Sequence, residues 1–222
     1  MQQPFSCVPA VFQSIEATLS KPRLSRYLPA ANGFAQFALR LYLWNAMICE
    51  SFYLPCQLAE VSLRNGVFRA LNDRYGPDWY TQGRFTCNLP DRHKKDLQAA
   101  IQDSQTEHGE NATADHIVAR LSLGFWVHLF TKNFEHLLWK GGFTVAFPNL
   151  PQNIGRIDIH RKIERFRNFR NRTAHHFAVF DKGPISHYAD IMEIIGWSCA
   201  DTAWLAKELA KVPTVINQRP SS

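Results

Sequence analysis

Residues 156–175 read Arg156-Ile157-Asp158-Ile159-His160-Arg161-Lys162-Ile163-Glu164-Arg165-Phe166-Arg167-Asn168-Phe169-Arg170-Asn171-Arg172-Thr173-Ala174-His175. On a wheel of 100° per residue, Ile159, Ile163 and Phe166 fall within about 60° of one another, so the spacing predicts a helix over 156–174 with one apolar stripe. Arg170 lands at the centre of that stripe. A guanidinium is always charged, and placing it on an apolar face is costly unless something pairs with it. The position therefore implies a buried partner or a cleft where an anion arrives.

Working outward, the apolar spacing stays helical along nearly the whole chain, and no strand-like alternation competes with it. A short helix is expected over 10–19. A long apolar segment, 34–75, is interrupted by Pro55, which predicts two helices, 34–52 and 55–74, ended by Gly76-Pro77. Residues 78–90 are turn-rich, 91–105 read as an exposed charged helix, and Thr113 is the expected N-cap of a helix over 114–122. Gly124 is expected to break the chain before a further helix running to Trp139. A last helix is expected over 185–209, and the chain from Pro213 should fray. The fold class is all-α, a helical bundle with additional short helices.

A chain of 222 residues that is 45% hydrophobic and 13% aromatic can build a core without disulfides or metals. Its five cysteines (Cys7, Cys49, Cys56, Cys87, Cys199) are odd in number and form no C-x-x-C pair, which fits a reduced, cytoplasmic setting. The start Met1-Gln2-Gln3-Pro4-Phe5 has neither a basic segment nor an apolar run, so no signal peptide is expected. No uninterrupted apolar stretch of about 18 residues exists, so no membrane span is expected. The formal charge is +6, and between Arg156 and Lys182 eight basic side chains face three acids (Asp158, Glu164, Asp181). A basic focus of this kind attracts polyanions, and equally suits a solvated helix face.

The chemistry open to the end of this helix is narrow. Asn171 and His175 are i,i+4 neighbours. His175 lies about 140° from Arg170 on a regular helix, so the two share no face. A kink, a helix end near Ala174, or a second protomer could bring them together. No Ser/His/Asp set, glycine-rich phosphate loop or carboxylate cluster offers an alternative. An arginine holds phosphate through a planar fork of donors. A histidine moves protons near neutral pH. Together they suit RNA cleavage without a metal: the 2′-hydroxyl attacks its own phosphate, His transfers protons, and Arg stabilises the developing charge. The competing structural reading pairs Arg170 with a buried acid and leaves His175 to close a helix end.

The stretch Phe169-Arg170-Asn171-Arg172-Thr173-Ala174-His175-His176 resembles the R-N-x-x-x-H signature of HEPN-superfamily proteins, and more narrowly the Abi-like (abortive-infection) family of bacteria. Further blocks follow the family in order: Leu41-Tyr42-Leu43-Trp44-Asn45; Leu58-Ala59-Glu60-Val61-Ser62-Leu63-Arg64-Asn65, followed by Tyr75-Gly76-Pro77-Asp78-Trp79; and Leu121-Ser122-Leu123-Gly124-Phe125-Trp126-Val127 with Leu138-Trp139 and Phe147-Pro148. They cover residues 34–180. The resemblance implies a HEPN-type helical domain over 34–212, an N-terminal helical extension over 1–33, and a disordered tail over 213–222. It further implies a homodimer in which Arg170, Asn171 and His175 form an endoribonuclease site, with Arg165, Arg167, Arg172 and His176 as RNA-binding residues. Glu60, Arg64 and Asn65 are supporting candidates. The implied biology is that of a toxin or phage-defence effector whose partners are RNA, a second copy and an antitoxin protein. The sequence departs from the family at Phe177, where members often carry Glu. That departure keeps open a catalytically inactive HEPN module that dimerises and binds RNA or a partner protein.

Neither cofactor nor metal is expected: His175, His176 and His187 fit no common ligand spacing. Glu60 and Arg64, at i,i+4, read first as a helical ion pair. Phe125, Trp126, Phe130, Phe134 and Trp139 read as core aromatics rather than a base-stacking platform. Cys49 and Cys56 read as buried thiols on one helix face. A DNA-binding helical protein is the third functional reading, without a clear helix-turn-helix to carry it.

Overall fold

The computed structural model describes residues 7–221, and the expected absence of a signal peptide therefore concerns residues outside the described part. The chain is all-α: among the described residues there is no strand. In chain order the α-helices are α1 (Pro9–Leu19), α2 (Lys21–Ser25), α3 (Ala35–Ser51), α4 (Tyr53–Tyr75), α5 (Gly83–Thr86), α6 (Asp91–His108), α7 (Ala114–Arg120), α8 (Leu123–His128), α9 (Gly142–Ala146), α10 (Arg156–Ala174), α11 (Pro184–Ser198), α12 (Ala200–Leu209) and α13 (Val212–Asn217). Among the described residues no helix is long and apolar enough to cross a membrane.

The residues form two compact units. The first comprises residues 7–56, 168–189 and 209–221; the second comprises 57–167 and 190–208. The boundary expected between residues 33 and 34 falls inside the first unit. The reason is packing: Leu24, Tyr27 and Ala31 of the expected extension are buried, and the Tyr27 ring stacks on Phe180 at 5.2 Å. Of the tail expected to be disordered from Pro213, the part up to Asn217 is helical, in α13. It is tied down where the Trp44 indole N–H donates to the Val215 carbonyl at 2.8 Å.

Where the sequence places helix ends correctly, local chemistry is the cause. Pro55 cannot tolerate the carbonyl four residues before it, so the run of 34–75 breaks at Phe52, between α3 and α4. Where the ends differ, side chains have captured helix carbonyls. The helix expected over 185–209 breaks at Cys199. Asn149 donates from its side chain to the Gly196 carbonyl at 3.2 Å and from its backbone to the Trp197 carbonyl at 3.0 Å. Those carbonyls would otherwise serve residues 200 and 201. Cys199 then opens α12 by accepting the Thr202 N–H on Sγ at 3.4 Å.

Likewise the break expected at Gly124 falls at Leu121-Ser122, because the Ser122 hydroxyl accepts the Phe125 N–H and caps α8. The helix expected to continue to Trp139 gives way to a 3₁₀ turn (Lys132–Phe134) and a π-helical turn (Glu135–Trp139). Here the Trp139 indole N–H donates to Leu129 O at 2.6 Å, and Arg156 donates to Phe130 O at 2.9 Å. Phe125, Trp126, Phe130, Phe134 and Trp139 are all buried in the second unit, as core residues. The Phe130 and Phe143 rings each stack on the Trp139 ring at 4.5 Å.

Candidate functional site

The basic helix forms over the expected residues. Its acidic residue Asp158 lies in the first turn and Arg172 in the last, as the helix dipole favours. Ile159, Ile163 and Phe166 are buried, as the stripe requires. Towards the C-terminus the buried line shifts to Phe169 and Thr173, which leaves Arg170 and Asn171 half-buried on its flank. Phe169 is held between two rings, edge-on to Phe52 at 4.7 Å and stacked on His187 at 4.1 Å. That packing carries the buried line onto Phe169.

Residues 168–189 belong to the first unit, so Arg170, Asn171, His175 and His176 share one compact body. The Arg170 guanidinium donates to Asn171 Oδ1 at 3.5 Å, and the Thr173 hydroxyl donates to the Arg170 carbonyl at 2.8 Å. His175 is exposed and caps the helix, its N–H still donating to Asn171 O at 3.0 Å. The helix therefore stays regular through Ala174, and no kink swings His175 round to Arg170. The helix does end at Ala174, so of the expected routes to a shared site the helix end and a second protomer stay open and the kink does not.

The helix end is a Schellman closure. His176 adopts the left-handed conformation (φ 58°), its N–H donates to Thr173 O at 3.1 Å, and the Phe177 N–H donates to Arg172 O at 2.9 Å. A non-glycine residue in that conformation carries strain. Phe177, where the resemblance leads one to expect Glu, is 53% exposed, and the Arg172 guanidinium lies over its ring at 5.6 Å. Arg172 also donates to Ala178 O at 2.7 Å, so this expected RNA-binding side chain is engaged in closing the helix end.

Sequence reasoning missed two residues that shape this end. Asn45 on α3 is buried, donates to Phe177 O at 3.3 Å, and accepts the N–H groups of Val179 and Phe180 at 2.7 and 3.1 Å. The signal was present: an amide in the run Leu41–Cys49, which has no other amide or charged side chain. Arg23 on α2 donates to His176 O at 3.2 Å, and nothing in its local sequence marks it. Burial pushes the Cys49 thiol up to about 11, and burial with the neighbouring Cys49 and Tyr42 pushes the Tyr27 phenol up to about 12.

The remaining candidates lie in the second unit. Arg165 pairs with Asp190 at 3.2 Å, and Arg167 with Glu164 at 2.7 Å. Lys162 reaches Asp190 at 3.7 Å and also pairs with Glu193; Arg156 pairs with Glu135 at 3.1 Å. Three acids from outside the basic run thus offset much of the excess counted along it. On α4, Glu60 and Arg64 are half-buried and Asn65 is exposed. Cys49 and Cys56, expected on one helix face, fall on α3 and α4; Cys56 is buried and Cys49 partly so. Among the described residues no three His, Cys, Asp or Glu side chains gather in a way that could hold a metal ion. No family model, no curated protein and no solved structure matches the chain.

Proposed function

We propose that this protein is a HEPN-type endoribonuclease that needs no metal and acts as a toxin or phage-defence effector. The observation that carries the reading is the pairing, in one compact unit, of a half-buried Arg170 steadied by Asn171 with an exposed His175 on a rigidly closed helix end. Arg170 would hold the scissile phosphate through its fork of donors. His175 would take the proton from the 2′-hydroxyl as that oxygen bonds to phosphorus. The bond from phosphorus to the 5′-oxygen breaks, and that oxygen takes a proton from a second histidine. The products are a 2′,3′-cyclic phosphate and a free 5′-hydroxyl. A homodimer supplies the second histidine and unites groups that one regular helix keeps on different faces.

The test is cleavage of single-stranded RNA in EDTA by the wild type, Arg170→Ala and His175→Ala. The wild type should cut RNA but not the 2′-deoxy strand, and each variant should lose about a hundredfold or more. Equal activity in all three proteins would sink the mechanism. The second reading is an inactive HEPN module that binds RNA or a partner protein such as an antitoxin. It is favoured by Phe177 in place of Glu and by the ion pairs that engage Arg165 and Arg167. It expects retained binding without cleavage.

A further inference from the structure

We propose that Arg23, on the short helix α2, binds an RNA phosphate beside the end of α10, a role that rests on the ribonuclease reading of that end. Arg23 is exposed and donates one guanidinium N–H to His176 O at 3.2 Å. That bond places its charged head against the residue next to His175. It is the one hydrogen bond Arg23 makes among the described residues, and no carboxylate pairs with it there. A guanidinium has five N–H donors in a planar fork, so Arg23 keeps donors for a phosphate while one of them stays on His176.

The neighbouring cations are differently employed. Arg172 is half-buried, with its guanidinium on Ala178 O and over the Phe177 ring. Arg26 pairs with Asp181 and lies over the Phe180 ring at 5.9 Å, and Lys182 lies 3.8 Å from the same carboxylate. Both of these cations are thereby engaged with Asp181. Among the described residues Arg23 is the cation of this cluster that is both exposed and without a carboxylate beside it. The residue lies outside the stretch that resembles the family, so no part of the resemblance assigns it.

A phosphate contact and a merely structural bond to His176 differ in their salt dependence. Binding of a 2′-O-methyl RNA oligonucleotide, which lacks the free hydroxyl needed for cleavage, is measured against salt for wild type, Arg23→Ala and Arg23→Lys. Arg23→Ala should weaken binding by about tenfold. It should also flatten the slope of log K against log salt by about 0.7, the value for one phosphate on a single strand. Arg23→Lys should restore most of the slope. Unchanged affinity overturns the proposal. So does weaker affinity at an unchanged slope, which would make Arg23 a prop for His176 only. If the wild type cuts RNA while both variants bind as it does, the Arg23 assignment alone fails. If the wild type cuts nothing yet shows the Arg23-dependent slope, the ribonuclease reading fails and the phosphate contact stands. A wild type that neither cuts nor binds overturns both.

Discussion

Asn45 Oδ1 accepts the backbone N–H of Val179 at 2.7 Å across 134 residues of sequence. The same oxygen takes the Phe180 N–H, and the amide nitrogen donates to Phe177 O. One buried side chain thus satisfies three backbone groups of the loop that follows the Arg170–His175 helix. A loop without regular structure needs such partners, because a buried backbone group left unpaired costs about as much as a lost hydrogen bond.

Asn45→Ala should destabilise the protein by about 2–3 kcal/mol, because it strands buried donors. Asn45→Leu fills the space but supplies no acceptor, and should recover little of that loss. Urea denaturation midpoints measure both. A full recovery by leucine would show that volume, not hydrogen bonding, is what Asn45 contributes.

His176 tests the strain at the helix end. Its left-handed backbone (φ 58°) is one that glycine adopts freely. His176→Gly should raise stability by about 0.5–1 kcal/mol, and His176→Val should lower it, since a β-branched side chain suits that conformation least. Thermal melts of the two variants should move in opposite directions. A lower melting temperature for the glycine variant would contradict the closure described above.

Gly66 on α4 reverses the usual helix rule. Alanine in a helix interior is ordinarily about 1 kcal/mol better than glycine. A Cβ at Gly66 would stand 2.7 Å from the Phe147 ring and 2.8 Å from the Ala146 carbonyl oxygen. The carbonyl is backbone and is also held by Arg69 at 2.9 Å, so it yields poorly. Gly66→Ala should therefore cost about 2 kcal/mol by overpacking. A chemical denaturation series showing a gain would overturn the close approach.

Acid should weaken the second unit through His128 and His160. Burial holds both below the usual histidine range. For His128 the neighbours His93 and His160 add to this; for His160, Glu164 opposes it while Arg156 and Arg167 reinforce it. The His93 and His128 rings also stack at 4.4 Å. Above the unfolded histidine pKa of about 6.5 both states are neutral and nothing is lost. As pH falls below that value the unfolded chain takes up protons that the folded one resists, so stability drops until the folded pKa is passed. The limiting slope is about 1.4 kcal/mol per pH unit for each histidine. Melting temperatures between pH 7.5 and 5 (an experimental range of roughly that span) should fall, and His128→Phe should flatten the fall. An unchanged slope in that variant would remove His128 from the account.

Much of the fold was legible because helix formation is local. The limits of α1, α3, α4 and α10 follow from apolar spacing and from Pro55, and the structure ends them within a residue or two of the expectation. The Arg170-to-His175 stretch was legible as an anomaly, a charge centred on an apolar stripe. What escaped were the breaks at Cys199 and after His128. Those depend on Trp139, Arg156 and Asn149 reaching carbonyls 10, 26 and 47 residues away, beyond the reach of helical periodicity. Asn45 and Arg23 escaped for the same reason, since their partners lie 132 to 153 residues away.

The sequence by itself determined that the chain is helical, that α10 carries one apolar stripe, and that Arg170 and His175 fall on different sides of a regular helix. Periodicity decides such matters, and periodicity is a property of neighbours. Tertiary structure decided the rest. Phe169, packed against Phe52 and His187, took the buried line and left Arg170 half-buried on its flank. Arg172 and Asn45 closed the helix end, and Asp190, Glu193 and Glu135 took up charge that seemed free along the chain. The physical reason is that hydrogen bonds and ion pairs act over a few ångströms of space, and only folding sets which distant residues come that close.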